Sequence, residues 1–122
     1  MSSTKKQFLR FIIVGICTVF IDYIGYNIFL LIFSLNVSKG LSFLLGSVFA
    51  FLINKIWTFE NKQKPLRQIF LFGALYSVTL MINVLTNVLV IQLSENFLFS
   101  FFIATGVSAF LNFIGQKWLV FK

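Results

Sequence analysis

Histidine is missing from this sequence, and other residue types that catalysis or cross-linking requires are scarce. The 122 residues include one cysteine, one proline and three acidic residues. A disulfide or a paired-cysteine metal site needs two cysteines, so neither can form within one chain. The acids Asp22, Glu60 and Glu95 lie far apart in the sequence, which disfavours the paired carboxylates of glycoside-cleaving enzymes. The sequence therefore predicts no enzyme, no bound metal and no cofactor.

Charge is also scarce, and apolar residues replace it. Charged residues make up 11% of the chain and hydrophobic residues 59%, with 18 Phe. A soluble domain has about 25% charged and 45–50% apolar residues. A chain of this length has too much surface to hide so many apolar side chains from water. The composition therefore predicts an integral membrane protein.

Four apolar runs are long enough to cross a bilayer as helices, which takes about 20 residues. They cover approximately residues 8–33, 38–59, 68–93 and 97–121. The connectors between them are short and polar, and the middle one contains Pro65. We therefore predict one all-α membrane domain with four transmembrane helices over residues 1–122.

The basic residues predict the orientation of these spans. Lys39 falls on one side of the membrane. The other nine fall on the opposite side: Lys5, Lys6, Arg10, Lys55, Lys62, Lys64, Arg67, Lys117 and Lys122. Because Lys and Arg accumulate in cytoplasmic loops, both termini and the middle loop are predicted to be cytoplasmic. Topology thus accounts for the net charge of +7, and no nucleic-acid partner is expected.

The two halves of the chain resemble each other. The second and fourth runs align without gaps at an offset of 62 residues, with Asn54 opposite Gln116. The identical pairs are Phe51 and Phe113, Lys55 and Lys117, and Phe59 and Phe121. Two spans per repeat bring the second copy in from the same side, so the repeats are predicted to be parallel.

Polar residues inside the runs are the candidates for function. Asp22 is expected near mid-membrane, with Thr18 one turn before it on the same face. Gly15 and Gly25 flank this face and are expected to let another helix approach. Asp22 is either part of a polar pathway or a hydrogen-bonding contact between helices.

Small and polar residues recur every four positions in two of the runs. They are Gly46, Ala50 and Asn54 in the second, and Ser108, Asn112 and Gln116 in the fourth. Each line ends beside a lysine, Lys55 or Lys117, which either marks topology or contacts a lipid phosphate. Asn83 and Asn87 in the third run are expected to hydrogen-bond between helices.

Several motifs resemble the GtrA-like family. Residues 8–15, FLRFIIVG, followed by Thr18 and Asp22, are similar to the first span of that family. Residues 51–59, FLINKIWTF, resemble the end of its second span, and residues 113–121 resemble the end of its fourth. In the fourth, Gln116 replaces the usual Asn, and Gly115 departs from the pattern. The resemblance covers essentially the whole chain.

The resemblance implies a translocase, or flippase, in a bacterial cytoplasmic membrane. Such a protein moves a polyprenyl-phosphate-linked monosaccharide, for example undecaprenyl-phosphate glucose, outward for glycosylation of cell-surface polysaccharide. One membrane glycosyltransferase would make this lipid-linked sugar and another would use it. The residues expected to contact the substrate are Thr18, Asp22, Asn54, Lys55, Asn112, Gln116 and Lys117.

Two other functions fit the sequence. A non-transporting subunit could anchor a polyprenyl-phosphate glycosyltransferase. A small proton-coupled multidrug exporter also has four short spans and an acid in the first, although nine basic residues against one disfavour insertion in both orientations. In addition, the small-residue lines at Gly46, Ala50 and Gly15 predict a homo-oligomer, most simply a dimer.

Overall fold

The computed structural model describes residues 3–122, which form four long helices. They are α1 (Ser3–Phe29), α2 (Leu35–Ile53), α3 (Pro65–Ser94) and α4 (Phe97–Gly115). Short π-helices extend two of them, Asn54–Thr58 after α2 and Gln116–Val120 after α4. All four helices are long and apolar enough to cross a membrane, as predicted, and most of their large apolar side chains are exposed. Lipid is the solvent that such a surface requires.

The helix boundaries follow from local capping residues. Ser34 caps α2 by accepting a hydrogen bond from the Val37 amide, and Asn96 caps α4 by accepting one from the Phe99 amide. Pro65 occupies the first turn of α3, where its missing N–H costs nothing. The first helix ends at Phe29 instead of residue 33, because residues 30–33 turn toward the Ser34 cap.

The chain divides into two compact units, one ending at Lys62 and the other comprising Gln63–Lys122. In the first unit α1 packs against α2, and in the second α3 packs against α4. Each unit is therefore a helical hairpin with its own interhelical contact.

A buried line of small and polar side chains runs along α2 at four-residue spacing. Its members are Ser38, Ser42, Gly46, Ala50, Asn54 and Thr58. Residues spaced in this way form one ridge of a helix. The sequence revealed only the middle of this line. Two further serines, Ser38 and Ser42, continue it toward the start of α2 and are completely buried.

Two glycines, Gly46 on α2 and Gly25 on α1, let these helices approach closely. A Cβ placed on Gly46 would lie 3.3 Å from Cγ2 of Thr18, and one on Gly25 would lie 3.3 Å from Cδ2 of Leu45. Gly25 therefore behaves as predicted. Among the described residues no second helix packs at Gly15, since no neighbouring helix has an atom within 4 Å of the position its Cβ would take, and approach of a second copy there stays a prediction. Gly46 packs against α1 of the same chain. It is therefore not available to a second copy, and one of the two surfaces on which the dimer prediction rested is removed.

Substituting Gly46 and Gly15 by the same residue should separate the effect of tight packing on stability from the effect of added hydrophobicity. We expect Gly46→Leu to lower the free energy of unfolding by about 1–3 kcal/mol, because the new side chain must displace Thr18 and Asp22. Gly15→Leu adds the same side chain where there is open space, and it should unfold like the parent. Unfolding in mixed detergent micelles measures both. Equal stability of the two variants would show that Gly46 is not at a tight contact.

Candidate functional site

The polar centre of the first unit is an ion pair between Asp22 on α1 and Lys39 on α2. Lys39 Nζ lies 2.8 Å from Asp22 Oδ2 and 3.0 Å from Oδ1. Ser42 Oγ donates a further hydrogen bond to Oδ1 at 2.7 Å. The acid inside a span is thus neutralised by the single basic residue that the sequence assigned to the other side of the membrane.

Asp22 lies closer to one end of its helix than the sequence suggested. Since α1 ends at Phe29, Asp22 is roughly 10 Å from that end at 1.5 Å per residue. Its side chain is 22% exposed and that of Lys39 is 55% exposed. Thr18 lies one turn earlier, but its hydroxyl donates to the Val14 carbonyl of its own helix at 2.8 Å. Asp22 therefore offers charge at a partly open position, whereas Thr18 mainly forms the packing surface for Gly46.

At its other end, the first unit carries Lys55 on the π-helical turn Asn54–Thr58. Lys55 Nζ donates to Asn61 Oδ1 at 3.1 Å, which draws the loop after the helix over the lysine. Asn54 is buried, and its Oδ1 accepts from Thr58 Oγ1 at 2.7 Å. Asn54 thus supports the turn from within, while the half-buried Lys55 lies nearer to the surface. Single π-helical turns are frequent at functional sites.

Arg10 adds a second cation at this end, and the sequence had indicated it as a topology marker and as part of the motif of residues 8–15, without a contact to the second span. Its Nη1 donates to the Trp57 carbonyl and to Glu60 Oε1, both at 2.7 Å, and its guanidinium stacks 5.0 Å from the centre of the Trp57 ring. The hydrogen bond from Arg10 holds the pKa of the exposed Glu60 carboxyl below its usual value. No sequence pattern linked these residues, because they are 50 positions apart.

The second unit repeats the lysine-bearing turn. Lys117 follows the buried Gln116 on the π-helix Gln116–Val120, and its Nζ lies 5.2 Å from the centre of the Trp118 ring. The Phe121 amide donates to the Gln116 carbonyl, just as the Phe59 amide donates to the Asn54 carbonyl in the first unit. The two sequence-matched endings therefore have the same local geometry.

Neutral hydrogen bonds join α3 to α4. Thr79 Oγ1 donates to Asn112 Oδ1 at 2.8 Å, and Asn83 Nδ2 donates to Ser108 Oγ at 2.9 Å and to the Ala104 carbonyl at 3.3 Å. The prediction that Asn83 bonds between helices is confirmed. Asn112 has the same role, so its predicted contact with substrate competes with an existing bond.

Gly115, the departure from the family pattern, has a packing reason. A Cβ on this residue would lie 2.5 Å from Cδ1 of Leu75, so the Leu75 side chain already occupies that space. A larger residue at this position would have to displace the Leu75 side chain from the contact between α3 and α4. The change concerns packing and leaves the adjacent Lys117 turn intact.

Known membrane proteins resemble the chain over most of its length. The family model described as GtrA/DPMS, transmembrane domain, matches residues 10–121. A Bacillus subtilis (strain 168) protein called uncharacterized membrane protein YwcD is 25% identical over 119 residues, covering 92% of this chain and 94% of that protein. No solved structure matches the chain significantly.

Proposed function

The chain belongs to the GtrA/DPMS transmembrane-domain family, and on that premise we propose that it is a flippase for a polyprenyl-phosphate-linked monosaccharide. Membership of this family supports a polysaccharide-related function in a membrane. The observation that carries the finer proposal is the pair of lysine-bearing π-helical turns, one in each unit. A lysine at such a position is a suitable point charge for a lipid phosphate.

The proposed cycle begins in the cytoplasmic leaflet of a bacterial cell membrane. Lys55 in the first unit and Lys117 in the second each bind a lipid phosphate, and the buried Asn54 and Gln116 belong to the two turns that carry these lysines. The sugar then moves along polar groups that include Asp22, and the polyprenyl chain remains in lipid. Nothing in this cycle breaks a covalent bond, so the protein needs neither a catalytic residue nor a cofactor.

Orientation is the first test of this proposal. In a Cys17→Ala background, we expect Lys62→Cys to react with a membrane-impermeant maleimide only after the cytoplasm is opened, because nine of ten basic residues mark that side. Asn36→Cys, in the first turn of α2, is the matched position on the opposite side and should react in intact cells. The reverse labelling pattern would refute the proposed loading side.

Reconstitution tests the transport itself. Purified protein in liposomes should accelerate the appearance of labelled polyprenyl-phosphate glucose in the opposite leaflet, relative to protein-free liposomes. A subunit that only anchors a glycosyltransferase would give no acceleration alone, but would copurify with that enzyme. A drug exporter would move cationic dyes in response to a proton gradient and ignore the lipid.

A further inference from the structure

An open cavity of about 370 Å³ lies beside the Asp22–Lys39 ion pair in the first unit. It is lined by Val19, Asp22, Tyr23, Tyr26, Asn27 and Lys39. The first five share one face of α1, since they are three to four residues apart, and Lys39 comes from α2. The volume falls within the ~300–1,000 Å³ of small-molecule sites.

The lining combines aromatic rings with hydrogen-bonding groups. Tyr23 is 69% exposed, and Tyr26 lies 5.7 Å from Lys39 Nζ, measured to the ring centre. The Lys39 ammonium group has three N–H donors. It donates to both carboxylate oxygens of Asp22. Asn27 donates to the Tyr23 carbonyl at 2.8 Å and offers its amide oxygen as an acceptor.

These groups match a monosaccharide better than a phosphate or a lipid tail. A pyranose ring has an apolar C–H face that packs on an aromatic ring, and hydroxyls at its edge that both donate and accept hydrogen bonds. A phosphate at this position would meet the negative charge of Asp22, and a hydrocarbon tail would leave the ion pair without polar contacts. Tyrosines also occur in membrane-interface belts, but here both rings line the same cavity as the ion pair.

We infer that this cavity is a carbohydrate subsite, in which Tyr23 and Tyr26 pack against the sugar and Asp22, Asn27 and Lys39 hydrogen-bond its hydroxyls. At 1.5 Å per residue, its residues Asp22 to Asn27 lie about 18–26 Å along α1 from Arg10, which contacts Trp57 on the Lys55 turn. The inference rests on the proposed function, since it identifies where the headgroup of the flipped lipid is held away from its loading site.

Binding of lipid-linked sugars to the protein in nanodiscs tests the subsite. The probes are polyprenyl phosphate bearing glucose, galactose or N-acetylglucosamine, and bare polyprenyl phosphate. We expect at least one sugar to bind about 10-fold more tightly than the bare lipid, a difference of 1.4 kcal/mol. In Tyr23→Leu/Tyr26→Leu that ratio should fall to near one, while affinity for the bare lipid stays unchanged. Tyr23→Phe/Tyr26→Phe keeps both rings and should retain most of the preference for the sugar-bearing lipid.

Phe20→Leu is the matched control, because Phe20 is an exposed aromatic residue of α1 outside the cavity. It should retain the parent ratio. A preference that survives in Tyr23→Leu/Tyr26→Leu, or a parent protein that prefers none of the sugars, would overturn the subsite. Flipping is measured on the same variants reconstituted in liposomes. Sugar preference without flipping would refute the proposed function and leave the subsite standing. Flipping without sugar preference would refute the subsite and leave the proposed function standing.

Discussion

Replacing Asp22 by alanine is expected to abolish transport of the lipid-linked sugar. The carboxylate accepts three hydrogen bonds, two from Lys39 and one from Ser42, and all three are lost. Hydrogen bonds to charged groups contribute about 1.5–3 kcal/mol each. Loss of even one such interaction with a hydroxyl of the sugar would slow transport by about 10- to 100-fold. Initial rates of flipping in proteoliposomes, at equal protein content, measure the effect.

The structure makes it possible to separate a role in folding from a role in transport. Alanine at position 22 leaves the Lys39 ammonium without its carboxylate inside a membrane-spanning hairpin, which could lower protein yield by itself. The double variant Asp22→Asn/Lys39→Met removes both charges together and keeps an acceptor for Ser42. We expect this variant to restore yield and thermal stability but not transport.

The single variant Asp22→Asn distinguishes charge from hydrogen bonding. Since both carboxylate oxygens contact Lys39, we expect the amide to be substantially impaired, because its nitrogen cannot accept a bond from the ammonium. Retention of most activity by Asn would assign the role to hydrogen bonding alone. Normal flipping by Asp22→Ala would show that Asp22 is purely structural, and the proposed polar pathway would then be wrong.

Removing both turn lysines has the second large expected effect. Lys55→Met/Lys117→Met keeps two long apolar stems but eliminates the cations proposed to bind the phosphate. Each charge-assisted contact contributes about 1.5–3 kcal/mol. We expect about a 10-fold loss of transport for each single variant and on the order of 100-fold for the double. Folding should persist, because the turns keep hydrogen bonds that involve no lysine side chain, from Thr58 to Asn54 and from the Phe121 amide to the Gln116 carbonyl.

A charge-matched control makes this result interpretable. Lys62→Met/Lys64→Met removes the same two charges from exposed positions outside the helices, so any effect of net charge on insertion or lipid attraction is equal. This control should transport normally. If flipping and surface glycosylation are unchanged in Lys55→Met/Lys117→Met, the two lysines are topology markers and the phosphate binds elsewhere.

The number of membrane spans and their approximate positions could be read from the sequence, because hydropathy is a local property of consecutive residues. The four-residue lines in the second and fourth runs were also visible, since helical periodicity places such residues on one ridge. The motifs around Lys55 and Lys117 indicated the family because each is local, contained in nine consecutive residues.

Contacts between helices were decided only by the tertiary structure. Lys39 pairs with Asp22 because the turn after Phe29 and the Ser34 cap set the register of α2 against α1, and no one-dimensional pattern encodes that register. The same applies to Arg10 with Glu60 and to Leu75 with Gly115. The tyrosine-lined cavity depends on this register as well, since Lys39 reaches it from another helix. Sequence thus specified which faces are polar, and packing decided which polar groups meet.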